Sequence, residues 1–210
     1  MSVFEQRSLN LEQARSELDD FARLLDGKGQ GDLGESSDLL PFFGAAQQLC
    51  ILVGLYNTRM SLRKVAIARE FSIFGDHRAD LVVGDLATNQ YCFCEFEDAK
   101  ATSLFKASTK QTPEWSPRYE HGYSQLIDWI LWIENNKGNT AYKTRFGADL
   151  IYFTMLLVIG RDRHLARPDL RERFHWRSES VVVASKKVHC ITYDQLYADL
   201  KNWLDILSGR

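Results

Sequence analysis

Cysteine and proline are both scarce in this 210-residue chain, with four of each, and Cys50, Cys92, Cys94 and Cys190 include no C-x-x-C pair. That spacing argues against the common zinc and dithiol motifs. Cys92 and Cys94 are neighbours on one strand, a poor geometry for a disulfide or a zinc pair, so reduced core thiols of a cytosolic protein are expected. Excess charge is missing too. The formal net charge is -2, so no global positive field announces nucleic acid, and any such surface must be a local patch. No apolar run reaches the length of a bilayer span; the longest, Leu150 to Gly160, reads as a buried strand. The N-terminal residues carry an acidic helical pattern rather than a basic n-region, so no signal peptide is expected, and the expected location is the cytoplasm. The Gly-rich stretch Gly27 to Gly34 lacks a Lys-Ser/Thr ending, which makes it a connector rather than a phosphate loop. No internal repeat is evident.

What the chain does have is a composition of 45% hydrophobic and 12% aromatic residues, suited to one compact domain or one with a modest appendage. Asn10 to Asp26 has apolar residues at helical spacing, with Asn10 as N-cap and Gly27 as stop. A second helical region is predicted from about Ser36 to Val53, Pro41 being tolerable in its first turn. Glu35 stands just before it, where an acid interacts favourably with the helix dipole. Leu62 to Phe74 contains an extended segment. Lys100 to Arg118 reads as loop with some helix, its Lys100, Lys106, Lys110 and Arg118 suited equally to phosphates or to solvent. Tyr119 to Asn135 is an aromatic amphipathic helix, with Leu126, Ile127, Ile130 and Leu131 facing the sheet and its tryptophans as core packing. Asp149 to Ile159 is a strand buried on both faces. A basic stretch, Arg163 to Trp176, turns helical after Pro168. Val181 to Ser185 and Val188 to Thr192 look like short strands separated by Lys186-Lys187, and Thr192 caps a final helix, Tyr193 to Leu207. Strands interleaved with helices argue for an α/β fold with a mixed central sheet.

The centre of interest is Phe74 to Lys100. Ala79 to Val83 and Tyr91 to Phe96 read as two strands joined by a Gly/Asp/Asn-bearing turn. Side-chain alternation puts Tyr91, Phe93, Glu95 and Glu97 on one face and Cys92, Cys94 and Phe96 on the other. Asp80, near the start of the partner strand, is placed to meet the acidic pair. Half-buried carboxylates repel one another unless a cation sits between them, and Mg²⁺ takes one or two carboxylates plus water and phosphate. Metal-assisted phosphodiester hydrolysis also needs an activated water and a cation to offset charge on the phosphate. An acid followed by a second acid on a strand is common by chance, and Glu95 and Glu97 at a strand end meeting basic partners is the plainer alternative.

Taken in order, GDHRADLVVGD, CEFEDAK, SQLIDWILWIE, the strand ending IGRD and the closing ITYDQLYADL resemble the nuclease domain of the Shedu anti-phage defence family, itself similar to the restriction-endonuclease-like PD-(D/E)XK superfamily. The resemblance covers roughly Glu35 to the C-terminus and implies residues 35–210 as nuclease domain, with 1–34 as a short helical arm and connector. It implies a metal-dependent DNA endonuclease, nicking double-stranded DNA with Mg²⁺ or Mn²⁺ and working as a homo-oligomer built from dimers. Asp80 matches the motif Asp and Glu95 the motif Glu. Gln125 matches a helical Gln near the active site, and Glu35 an upstream helical acid. The motif lysine is replaced by Glu97, leaving Lys100 to take its role, Glu97 to hold a second ion, or activity to be altered. His77, Arg78, Lys106, Lys110 and Arg118 are the expected DNA contacts. A non-cleaving module of the same fold and an RNA-directed nuclease are the rival expectations.

Overall fold

The alternating strand at the heart of the sequence becomes the middle of a seven-stranded sheet. In a computed structural model, which describes residues 4–27 and 32–209, strands β1 (Glu5–Gln6), β2 (Val65–Ser72), β3 (Arg78–Asp85) and β4 (Gln90–Phe96) run antiparallel to their neighbours. Strand β5 (Tyr152–Val158) then pairs parallel with β4, which obliges the chain to cross over, and the crossover is helical. Strand β6 (Val182–Val183) and strand β7 (Lys186–Ile191) complete the order β1-β2-β3-β4-β5-β7-β6, with β7 parallel to β5. The sheet is mixed, as the pattern of elements predicts.

Alternation sorts the core into two layers. Cys92, Cys94 and Phe96 of β4 pack with helices α1 (Leu11–Gly27), α2 (Leu40–Ala45), α3 (Gln47–Val53) and α7 (Tyr193–Leu207). Tyr91 and Phe93 pack on the opposite face with α4 (Pro117–Asn136), α5 (Thr140–Phe146) and α6 (Pro168–Ser180). All four cysteines are free and buried, as expected. No single helix among the described residues is long and apolar enough to cross a membrane.

Helix α1 is stitched down rather than free-standing. Asn10 caps it (Gln13 N–H to Oδ1, 3.0 Å), and buried Glu17 accepts from the N–H groups of Gln48 and Leu49 at 2.8 and 3.0 Å, capping α3 from a distance. Within the Gly-rich connector, residues 28–31 lie outside the described residues, and Gly27 is the last residue of α1.

Several elements differ from expectation. The single helix predicted over 36–53 is a π-helical turn (Glu35–Leu39) running into α2, then α3, bent by 93° at Ala46. The bend lets Phe43 stack on Phe96 at 4.3 Å while the whole of α3 from Gln48 onward is buried. Residues 140–146 form α5, capped by Asn139 (Tyr142 N–H to Oδ1, 2.8 Å). Residues 100–116 contain no helix. Lys186-Lys187 begin β7 instead of separating two strands; the turn is Ala184-Ser185, both at positive φ (47° and 63°). On α4 the buried stripe is Leu126, Trp129, Ile130 and Ile133, whereas Leu131 and Trp132 are exposed, so Trp132 is not core packing.

Candidate functional site

The regular pleat fails where the acids gather. The β2–β3 ladder runs Arg69 opposite Leu81 and then Phe71 opposite Ala79, so Glu70 and Asp80 are the pair it skips. Glu70 has a positive φ of 47°, a conformation costly for a residue with a side chain. The β3–β4 ladder likewise stops at Leu81 opposite Cys94, one residue short of Asp80. Freed from the pleat on both sides, Asp80 lines the same small cavity, about 170 Å³, as its neighbour Leu81; regular strand neighbours would point to opposite faces. The N–H of Phe96 donates to Asp80 Oδ2 at 2.8 Å, which holds the carboxylate against the end of β4.

Beside it stands Glu95, 8% exposed, with Oε2 buried and without a hydrogen-bond partner. Burial pushes the Glu95 carboxyl far above the ordinary range, and Asp80, Glu97 and Glu35 push it further. Asp80 is raised by burial first, against the Phe96 N–H, and then by Glu35 and Glu70. Glu97 is raised by burial to about 8, with Arg118 opposing and Glu35, Asp98 and Asp80 adding to the rise. Burial and neighbouring acids are what raise both carboxyls, and Arg69 lines the cavity that Asp80 faces.

The cations serve the outer acids. Arg118, the second residue of α4, sits 2.7 Å from Glu35 Oε2, 2.8 Å from Glu97 Oε2 and 3.7 Å from Asp98 Oδ2. Its contact with Glu97 is a charge pair without hydrogen-bond alignment, since that oxygen has no directed partner. Lys100 pairs with Asp98 at 3.0 Å, and Ser103 donates to the same carboxylate. Glu35 arrives because Leu33 and Ala99 form an isolated antiparallel bridge (N···O 2.9 and 3.4 Å), extended by Ala101 N–H to Asp32 Oδ1. Gly122, one turn beyond Arg118, leaves the space that Glu97 fills: a Cβ there would lie 3.0 Å from both Cγ and Oε1 of Glu97. Gln125 follows on the same helix face, three residues after Gly122, and its Oε1 is buried without a partner.

The structure thus brings together Asp80, Glu95, Glu97 and Glu35, with Arg118 among them and Lys100 on the adjoining Asp98. The remaining residues named from sequence lie on the surface around this corner or beyond it. Arg78 pairs with Glu70 at 3.2 Å, His77 stands 5.9 Å from the Trp132 ring, and Lys106 and Lys110 share Glu114 at 2.6 and 3.3 Å. Sequence reasoning missed Asp98 and the ion pairs of Arg118. The run Glu95-Phe96-Glu97-Asp98, three acids in four residues, was the available signal.

All the donors at this corner are oxygens, which fits a hard divalent cation. Among the described residues no group of three or more His, Cys, Asp and Glu side chains could hold a metal ion, so the protein offers no complete cage. Two carboxylates, one with an orphaned oxygen, are nevertheless what Mg²⁺ commonly takes from a protein when water and phosphate supply the rest.

The family comparison decides the lineage: the family described as Shedu protein SduA, C-terminal, matches residues 34–197. The chain belongs to the Shedu family. The matched span holds every acid of the corner, Arg118 and Gln125. Shedu membership suggests a role in anti-phage defence. No curated protein matches this Shedu chain.

Proposed function

We propose that this Shedu protein hydrolyses phosphodiester bonds of double-stranded DNA with Mg²⁺ or Mn²⁺, in a restriction-endonuclease-like site at the end of the β3–β4 hairpin. The observation that carries the reading is the buried, unpartnered Glu95 oxygen beside Asp80, in a corner where burial and neighbouring acids press both carboxyls upward. Burying like charges in this way is unfavourable unless a cation or a proton completes the site, and such arrangements concentrate at functional sites.

Asp80 and Glu95 would hold the ion, with Glu35 or Glu97 as an extra oxygen donor. When bound, the ion would lower the pKa of a water and polarise the phosphate. Gln125, through its free Oε1, would orient water or phosphate. Lys100 or Arg118 would offset charge building on the phosphate. His77, Arg78, Lys106 and Lys110 would contact the DNA backbone. Because Lys106, Lys110 and Arg78 are exposed and shared with single acids, they can exchange partners for phosphates at little cost. We expect a cytoplasmic homo-oligomer, which sedimentation velocity would register.

The replacement of the motif lysine by Glu97 favours one rival, a DNA-binding or assembly module of the same fold that does not cut. Supercoiled plasmid, linear duplex and RNA, incubated side by side with Mg²⁺ or Mn²⁺, separate these readings. Plasmid nicking that falls by on the order of 10²–10³ in Asp80→Ala and in Glu95→Ala supports hydrolysis at this site. Retained nicking in both variants would remove it, binding without cleavage by the wild-type chain would favour the rival, and cleavage of RNA alone would redirect the substrate.

A further inference from the structure

Arg118 differs from the more buried arginines, Arg161 and Arg177, in how its charge is shared. Arg161 gives Nε and Nη2 to the two oxygens of Asp194 at 2.9 and 2.8 Å, and Arg177 gives Nη1 and Nη2 to the two oxygens of Glu120, both at 2.7 Å. Those are directed, two-point pairs. Arg118 instead divides itself among Glu35, Glu97 and Asp98, and the Glu97 contact has no hydrogen-bond alignment. An arginine held by several charges, without a two-point grip on any of them, is bound mainly by Coulomb attraction, and another cation can substitute for it.

The partners also differ in freedom. The Glu97 side chain is 2% exposed and packed against the backbone of α4 at Gly122, where not even a methyl group fits. The Arg118 side chain is 39% exposed, so it is the member of the pair able to turn outward. Two of the acids it holds, Glu97 and Glu35, are among those whose charge bears on Glu95. The two carboxylates that would extend the Asp80–Glu95 pair are both engaged by this guanidinium.

Resting on the function proposed above, we propose that Arg118 is a built-in counter-ion, holding Glu35 and Glu97 in the cation-free protein and competing with a divalent cation for those carboxylates. Displaced from those acids, the guanidinium, on a side chain already 39% exposed, would be free to face a substrate phosphate. One arginine then serves two states of the site, balancing acids in the first and facing phosphate in the second.

Mn²⁺ binding to the full-length chain without DNA, measured by isothermal titration calorimetry, tests this apart from activity. Arg118→Gln should bind Mn²⁺ about tenfold more tightly than wild type or better, because a unit charge a few ångströms away no longer opposes the ion. Arg118→Lys, which keeps the charge, should stay close to wild type, and Asp80→Asn should abolish binding. A second arm uses thermal unfolding in EDTA. The stability change of the double variant Glu97→Gln/Arg118→Gln should differ from the sum of the single-variant changes, showing that the two side chains are coupled. Unchanged or weaker Mn²⁺ binding by Arg118→Gln, or strict additivity in EDTA, would overturn the counter-ion role. If wild type binds Mn²⁺ through Asp80 while Arg118→Gln binds no better, the hydrolytic reading stands and only this inference falls. If neither wild type nor Arg118→Gln binds Mn²⁺, both fall together.

Discussion

Two clusters of buried charge sit at the ends of neighbouring central strands, and they are finished to different degrees. Just past β5, Arg161 is 7% exposed and fully engaged: Asp194 takes two of its nitrogens and Leu25 O accepts a third at 3.0 Å. Asp162 N–H adds a further bond to Asp194 at 2.7 Å. At the end of β4, Glu95 keeps an oxygen with no partner among three other acids. The first cluster ties α1, β5 and α7 together and leaves nothing for a ligand to do. The second is stable only with something added, a proton or a cation. Completeness of hydrogen bonding, more than burial or charge, is what separates the structural cluster from the candidate site.

The largest expected effect breaks the finished cluster. Arg161→Ala strands Asp194 and Leu25 O, and should cost about 3–5 kcal/mol in urea unfolding. Hydrogen bonds and the charge of Arg161 outweigh burial and hold the Asp194 carboxyl below the usual range. That contribution is present above the unfolded pKa of about 3.9 and is lost as pH falls through the lower native value. Asp194→Asn should therefore flatten the acid limb of the stability curve; an unchanged limb would show that other carboxylates control it.

The unfinished cluster should respond with the opposite sign. Glu95→Gln removes a carboxylate whose charged form is disfavoured, and should raise stability at pH 8 without divalent ions by about 1–3 kcal/mol. The same logic fixes the pH dependence. Glu97 has a native pKa of about 8 against about 4.3 unfolded. The folded chain therefore binds more protons, and in EDTA its melting temperature should fall as pH rises across that interval. A melting temperature that climbs through the interval would mean that the corner is already neutralised.

How much of this was legible beforehand divides along similar lines. Glu95 could be placed from strand alternation, because a local period of two decides which side chains share a face; the orientation of Asp80 could not, because the pleat fails there and Asp80 shares a cavity with its neighbour Leu81. Caps such as Asn10 and Thr192 were readable for the same reason, each bonding an N–H three residues on, at 3.0 and 3.1 Å. The bend at Ala46 was not read, although Gly44 lies two residues before it; the stacking of Phe43 on Phe96, far along the chain, goes with it. Nor was the Ala184-Ser185 turn, which uses positive φ without glycine or asparagine. Arg118 read as one more basic residue of a loop. Only the fold sets it between Glu35 and Glu97, 83 and 21 positions away.

A smaller test probes the packing that fixes Glu97. Gly122→Ala would put a Cβ 2.8 Å from Leu157 Cδ1 and 3.0 Å from Glu97. It should cost about 1–3 kcal/mol of overpacking, with about 1 kcal/mol returned by better helix propensity. If the proposed chemistry is right, nicking should drop by more than the lost folded fraction explains. Least affected should be Lys110→Ala, on an exposed loop outside both clusters. Its stability should stay within about 0.5 kcal/mol, while DNA binding, measured by anisotropy, should weaken evenly across sequences and show a shallower salt slope.

The bridge between Leu33 and Ala99 gives the corner a mechanical property. Two backbone contacts, at 2.9 and 3.4 Å, are the clasp that keeps the Glu35 segment alongside the end of β4. Opening that clasp would draw Glu35 away from Arg118 and pull Leu33, 1% exposed, out of the core. The charge balance of the corner is thus tied to the seating of one core leucine two residues before Glu35.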